Sequence, residues 1–504
     1  VAPEGLFTYR DLLDASERVA RRLLSLCSTE DLAEARVAFL VPPGFEYVAV
    51  QWGIWRAGGI ALPLAVSHPA PELARVVEDS DPVAVVGHPS LMERVGQVGI
   101  ARPVHVLDSS DLVAQPPGAA AGVSPLPSLG PERRALIIYT SGTTGRPKGV
   151  VTTFRNLEAQ VTTLVEAWEW SCDDHILLVL PLHHVHGIIN VLTCALWSGA
   201  CCQVMPRFDA KETWDRFARE DLTLFMAVPT AYSRLVKAWD DADVSERARW
   251  TKGARSVRLM VSGSAALPLQ ILERWRQLTG HELLERYGMT EIGMALADPL
   301  HGDRVPGHVG HPLPSVDVRR VDERGEVLTD PLAQGELEVR GPSVFSEYWR
   351  SPEATTAAFR DGWFRTGDVA VMMDGHYRLL GRISVDIIKT GGHKVSALEI
   401  EEVIREHPNV RDCSVVGVPD AEWGERVSVA LIGHEGERLN PEDLVTWARD
   451  RLAPYKVPRN SLVLEDLPRN SMGKVLKQEV RSLFESPTTV EEGHEEPVSE
   501  EDKR

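Results

Sequence analysis

The segment 139–149 constrains this chain most. It reads Tyr139-Thr140-Ser141-Gly142-Thr143-Thr144-Gly145-Arg146-Pro147-Lys148-Gly149, and so gathers hydroxyls, glycines and two cations into one turn directly after the apolar run 136–139. Glycine lets backbone N–H groups approach oxygen atoms closely, hydroxyls donate further hydrogen bonds, and Lys148 or Arg146 offsets the charge of a polyanion. The pattern predicts a phosphate-binding turn at the end of a strand; the competing reading is a flexible surface loop. The G-x-x-x-x-G-K-[ST] spacing is absent, which argues against a P-loop NTPase.

Short β-branched runs at 36–41, 83–86, 136–139, 176–180, 222–228 and 257–261 alternate with helical stretches, the signature of an α/β fold. Leu267, Ile271, Leu272, Trp275 and Leu278 follow helical spacing and bury one face, for which core packing is a sufficient reason. Polar or Gly-rich turns close several runs, at 140–149, 183–187 and 262–266, where ligands sit beyond the carboxyl ends of strands. After Gly381-Arg382 the pattern restarts in shorter units at 414–418, 427–432, 442–452 and 462–464. The expected organisation is a large, multi-subdomain α/β N-terminal domain over 1–381, a smaller α+β domain over 382–485, and an acidic, disordered tail over 486–504 that is nearly free of large apolar residues.

A length of 504 residues suits several domains with ample buried surface. The formal charge of −19 argues against nucleic acid as a partner, because neutralising phosphates takes clustered Lys and Arg. Six cysteines, Cys201 and Cys202 adjacent among them, form no spaced framework and suit a reducing compartment. The most apolar stretch, 175–197, is broken by Pro181, His183, His184 and His186, so no membrane span and a soluble protein are expected. No signal-peptide pattern precedes the folded-looking sequence at Phe7-Thr8-Tyr9.

The loop at 139–149 resembles the T-S-G-T-T-G-x-P-K-G signature of the adenylate-forming superfamily, which holds acyl-CoA synthetases, luciferases and peptide-synthetase adenylation domains. The resemblance runs from Thr8 to about Leu483, through further motifs in the family's order. It implies that Thr140, Ser141, Gly142, Thr143, Thr144, Gly145, Arg146, Pro147, Lys148 and Gly149 cradle the phosphates of ATP. In Tyr287-Gly288-Met289-Thr290-Glu291 it implies that Tyr287 lies against adenine, Thr290 touches the α-phosphate and Glu291 holds Mg²⁺; a hard cation on phosphates wants carboxylate oxygen, and an aromatic face suits a purine. Asp368, in Thr366-Gly367-Asp368, is similar to the aspartate that accepts both ribose hydroxyls, and Arg382 to a second nucleotide contact at the domain junction. Pro468-Arg469-Asn470-Ser471-Met472-Gly473-Lys474 resembles the P-R-x-x-x-G-K loop, whose lysine bridges acyl carboxylate and phosphate during adenylation; Lys474 is therefore expected to be catalytic together with Thr290 and Glu291.

The same resemblance implies a mobile small domain that exchanges the Lys474 loop for a Gly-rich loop, so that coenzyme A can displace AMP. Gly391, Gly392 and Lys394 fit that second loop. The junction Gly381-Arg382-Ile383-Ser384-Val385-Asp386 is one residue longer than the usual G-R-x-[KD]-D, and the hinge lies within 383–386. Arg286, immediately before Tyr287, sets a guanidinium beside the acyl site, and a bidentate arginine is a fitting partner for a second carboxylate that loses its hydration there. An outward-facing Arg286, or one paired with Glu285, is the alternative. The stretches LLERYGMTE, LPLHHVHG, MVSGSAALP and PRNSMGK most resemble malonyl-CoA synthetases, which implies malonate as the acid, with Arg286, His184, His186 and Ser262 lining its pocket. A metal reading of His-His-x-His competes with histidines that pack in the core or brace the residues lining the pocket. Other acids (acetate, propionate, methylmalonate, fatty acids), a carrier-loading adenylation domain and an inactive nucleotide-binding homologue are the rival readings. Mitochondrial matrix and cytoplasm both fit, and the sequence leaves oligomeric state open.

Overall fold

A computed structural model describes residues 1–98, 104–114, 125–140, 147–420, 422–434, 439–470 and 473–485. The chain divides into two compact units, Val1–Leu379 and Leu380–Arg504. Among the described residues, no helix is long and apolar enough to cross a membrane.

The first unit is built on two seven-stranded sheets. One runs in the order Glu347–Tyr348, Lys148–Thr153, Arg134–Thr140, Ile60–Pro63, Arg36–Leu40, Ala84–Gly87, His105–Asp108. Its central strands are parallel and wholly buried, as Val37, Phe39, Ala61 and Val86 illustrate, which is why they read as continuous apolar runs. The second runs in the order His311–Pro312, Gly293–Ala297, Leu284–Met289, Leu259–Ser262, Leu224–Ala227, His175–Leu178, Cys201–Val204. Its last five strands are parallel, so their carboxyl ends share one edge. Helices Ala210–Phe217, Pro229–Asp241, Val244–Arg255 and Leu269–Thr279 belong to this half. They bury an aromatic core in which Trp214 stacks with Trp250 and Trp275 at centroid distances of 5.7 and 5.3 Å, and Tyr232 meets Trp275 edge-on at 4.9 Å. The helical spacing around Trp275 is borne out from Leu269 onward; Pro268 fixes the start of the helix and leaves Leu267 ahead of it.

A third, antiparallel sheet includes Asp317–Val321, Gly335–Arg340 and Trp363–Met373. The strand His376–Arg382 runs through the boundary between the units. In the second unit, Ile387–Thr390 and His393–Ser396 form a hairpin that joins Gly424–Gly433, Val410–Asp420 and Asn460–Val463 in one sheet, against which Ala397–Arg405 and Pro441–Arg449 pack. The observed strands are longer than the runs read at 414–418 and 427–432 because register pairing continues through polar residues: Asp420 pairs with Gly424, and Val418 with Arg426.

Candidate active site

Leu284–Met289 lies parallel to Leu259–Ser262, with Glu285 opposite Ser262, so Arg286 stands level with the turn that leaves the neighbouring strand. That turn is shaped around the guanidinium. A Cβ at Gly263 would meet Nε of Arg286 at 2.5 Å and Cζ at 2.6 Å, and the next residue, Ser264, adopts a left-handed φ of 74°. Nη2 of Arg286 donates to Oγ of Ser264 at 3.4 Å, and the same oxygen meets Nδ1 of His186 at 3.2 Å. Arg286 is only 5% exposed; its Nε has no hydrogen-bond partner, and it forms no ion pair among the described residues. Glu285 is engaged elsewhere, accepting from the Gly307 N–H at 3.1 Å. Burial pushes the pKa of Arg286 down to about 9. Because a guanidinium keeps its proton in proteins, that depression expresses a buried positive charge in need of an anion.

His186 adjoins this charge without neutralising it. His186 is buried at the start of the π-helix His186–Thr193, and its Nε2 has no partner. Gly187 lets this turn approach the preceding chain, since a Cβ there would lie 2.3 Å from the Pro181 carbonyl oxygen. The ring of His183 lies 4.1 Å from that of His184 and 5.7 Å from that of His68. Desolvation holds all three of the 183–186 imidazoles neutral: His184 falls to about 4, His183 to about 2, and His186 lies well below its ordinary value, with Arg286 adding to the shift. Each is then a single donor and a single acceptor. Oγ of Ser262 is buried without a partner.

A second cluster follows along the same chain segment. Tyr287 donates to Oδ2 of Asp368 at 2.7 Å, and the Asp368 N–H donates to Oγ1 of Thr366 at 3.0 Å. Gly288 packs against the adjoining strand so tightly that a Cβ would lie 2.1 Å from the Gly293 carbonyl oxygen. Past half-buried Thr290, buried Glu291 accepts through Oε1 from the Tyr348 hydroxyl at 2.9 Å. Thr140 and Lys148 face each other across paired strands, and Nζ of Lys148 lies 5.1 Å over the Tyr348 ring. Pro147 and Gly149 flank Lys148; Ser141, Gly142, Thr143, Thr144, Gly145 and Arg146 lie outside the described residues.

In the second unit, Arg382 opens a tight turn in which the Asp386 N–H donates to the Arg382 carbonyl oxygen at 2.7 Å and Oδ2 of Asp386 accepts from the Arg382 N–H at 3.0 Å. Lys477 is nearly buried between Oδ1 of Asp386 at 2.7 Å and Oε1 of Glu401 at 2.8 Å. Gly391 and Gly392 are the two central residues of the hairpin turn, both with positive φ, and Lys394 lies on the returning strand. Lys474 is exposed, its N–H donating to Oδ1 of Asn470 at 2.9 Å.

The AMP-binding enzyme family matches residues 2–349, and its C-terminal domain matches residues 399–474. The chain belongs to the AMP-binding enzymes. A mitochondrial malonate–CoA ligase of Mus musculus is 48% identical to this AMP-binding enzyme, across 96% of this chain and 88% of its own. Its Bos taurus counterpart is 46% identical across 95% and 87%. Among solved structures, ATP-bound MatB from Rhodopseudomonas palustris aligns at a TM-score of 0.87 with 34% identity, across 96% of this chain and 95% of its own.

Within the first unit of this AMP-binding enzyme, the fold brings Arg286, His186 and the turn after Ser262 together, and separately Tyr287 with Asp368 and Glu291 with the strand of Lys148. Four residues escaped the sequence reading. Ser264 accepts from Arg286; Gly263 makes its space; Tyr348 holds Glu291; Lys477 ties Asp386. The repeated Ser-Gly-Ser at 262–264 was the one signal for the first two.

Proposed function

We propose that this enzyme joins malonate to coenzyme A at the expense of ATP, through a malonyl-adenylate, with release of pyrophosphate and then AMP. The observation that carries the reading is Arg286: a buried guanidinium with an unpartnered Nε and no ion pair among the described residues, which a dicarboxylate satisfies and a monocarboxylate leaves bare. The malonate–CoA ligases among its relatives support the same choice.

In the first half-reaction one carboxylate oxygen of malonate attacks the α-phosphorus, and the bond to the pyrophosphate oxygen breaks. Two anions meet in that step, so cations must sit between them. Arg286 takes the distal carboxylate, neutral His184 and His186 and the hydroxyl of Ser262 complete its hydrogen bonds, and Thr290 contacts the α-phosphate. Residues 140–149 hold the phosphates, and Lys474 supplies the positive charge between carboxylate and phosphate. Tyr287 lines the base, while Asp368 and Arg382 hold the ribose. Glu291 fits a magnesium site of the kind carried on phosphates, since it offers buried carboxylate oxygen and no cluster of three or more His, Cys, Asp or Glu ligands exists among the described residues. Bound there, Mg²⁺ would offset charge on the departing pyrophosphate. In the second half-reaction the thiol of coenzyme A attacks the acyl carbon, AMP leaves, and Gly391, Gly392 and Lys394 line the approach of the pantetheine arm. Residues 1–381 act as the adenylation domain and 382–485 as the mobile domain. The working compartment is the mitochondrial matrix or the cytoplasm.

The test is thioester formation with acetate, malonate, methylmalonate, succinate and octanoate. Malonate gives the highest kcat/KM, and Arg286→Ala lowers it by about a hundredfold or more while leaving acetate within a few-fold. Lys474→Ala stops adenylation yet still converts supplied malonyl-adenylate to the thioester. A preference for octanoate or acetate that Arg286→Ala leaves intact would sink the malonate assignment.

A further inference from the structure

The segment 345–349 connects the two charged elements that the reaction sets against the polyphosphate. The Phe345 N–H donates to the Glu291 carbonyl oxygen at 2.7 Å, and the Trp349 N–H donates to the Gly149 carbonyl oxygen, also at 2.7 Å. Between these anchors Tyr348 pairs with Val150, so its side chain shares a face with Lys148 two residues along the same strand. The hydroxyl of Tyr348 reaches Oε1 of Glu291 at 2.9 Å with both residues buried, and its ring carries the Lys148 ammonium 5.1 Å from the centroid. One side chain therefore presents a donor to a carboxylate and an electron-rich face to a cation.

We propose that Tyr348 is a positioning residue for nucleotide activation. Its hydroxyl orients the Glu291 carboxylate toward the phosphate-borne divalent cation, and its ring holds the Lys148 ammonium in register with the phosphates. The physical case is geometric. A carboxylate that must offer a lone pair to a cation gains from having its other lone pairs fixed, as outer-shell donors fix metal-ligating groups. A lysine on a flexible stem loses less entropy on meeting phosphate if an aromatic face has already confined it. The side chain would also keep the two opposite charges from collapsing onto each other in the absence of nucleotide. This inference rests on Glu291 and Lys148 serving the cation and the phosphates as proposed above.

Three variants separate the parts: Tyr348→Phe, Tyr348→Leu and Glu291→Gln in the full chain. Each is measured for malonate-dependent pyrophosphate exchange against Mg²⁺ concentration, for ATP affinity without divalent cation by titration calorimetry, and for melting temperature. Tyr348→Phe keeps the ring, so ATP affinity without Mg²⁺ stays at the wild-type value, while the Mg²⁺ concentration for half-maximal exchange rises by about tenfold, as the loss of a hydrogen bond to a charged group predicts. Tyr348→Leu also removes the aromatic face and weakens ATP itself by about two- to fivefold. Glu291→Gln raises the Mg²⁺ requirement at least as far as Tyr348→Phe. If Tyr348→Phe shows wild-type Mg²⁺ dependence while Glu291→Gln does not, the hydroxyl has no positioning role and the inference is overturned. If Glu291→Gln also behaves as wild type, the reading of Glu291 falls and this inference with it. A Tyr348→Phe protein that loses maximal exchange and melting temperature together, with an unchanged Mg²⁺ midpoint, marks a packing residue and likewise overturns it.

Discussion

A buried arginine without a counter-ion works against the folded state, and among the described residues Arg286 has none. Replacing it with an apolar side chain of similar length removes the desolvation cost and keeps the volume. Arg286→Met is therefore expected to melt higher than wild type by about 2–4 °C, while malonate turnover collapses. Differential scanning calorimetry beside a kinetic assay checks both, and a lower melting temperature would mean that the guanidinium is satisfied in the folded protein. Arg286 was legible in sequence because it abuts the Tyr287-Gly288-Met289-Thr290-Glu291 stretch and a charge at that place is unusual for a fatty pocket. The serine that touches it was not legible. Leu259–Ser262 ends at Ser262, and Gly263 with the left-handed Ser264 then swings the chain so that the second hydroxyl, two residues on, meets the guanidinium. No periodicity encodes that swing.

Elements with continuous apolar character were readable, and elements that bury charge were not. The parallel strands of the first unit announce themselves as β-branched runs, whereas Asp317–Val321 carries three charges in five residues and Gly335–Arg340 carries charges at alternate positions, so both look like solvated surface. Their side chains are in fact paired across strands: Glu338, fully buried, meets Arg319 at 2.6 Å and Arg360 at 3.0 Å. The same logic hid Lys477. It heads the helix Lys477–Glu485 and sits between Asp386, on the turn after Arg382, and Glu401, which also accepts from the Val415 N–H at 2.8 Å in the neighbouring strand. Lys477→Met takes the cation from half-buried Asp386 and leaves buried Glu401 with Arg405 alone at 3.3 Å, and a loss of about 3 kcal/mol follows for the second unit. Hydrogen exchange resolved by residue should show faster exchange in Val410–Asp420 and Ala397–Arg405, with Leu284–Met289 in the first unit unaffected. Equal protection in the variant and the wild type would show that the triad contributes nothing net.

For the whole molecule, pH acts through histidines more than through the net charge of −19. His183, His184 and His186 remain neutral in the folded protein to well below their ordinary pKa, while in the unfolded chain they take up protons near pH 6.5. Below that value these three sites bind more protons in the unfolded state than in the folded one, so they make stability decline as pH falls from about 7 to 5, against the opposite pull of buried Asp298, whose carboxyl desolvation raises to about 7. The contribution of fully buried His186 reaches about 1.4 kcal/mol per pH unit in that window. Melting temperatures from pH 5 to 8 should therefore flatten in His183→Gln and His186→Gln, and an unchanged slope would place the titrating groups elsewhere.

The buried charge of Arg286 also bears on how such a pocket persists across generations. Most substitutions that abolish a function also loosen the fold, so selection against instability helps preserve them. Here the two pressures oppose each other, because drift toward an apolar residue at position 286 would be rewarded with a firmer protein. On the function proposed above, only continued demand for the malonyl thioester holds the arginine in place, and in a lineage where that demand lapsed it would be among the first residues of the site to go.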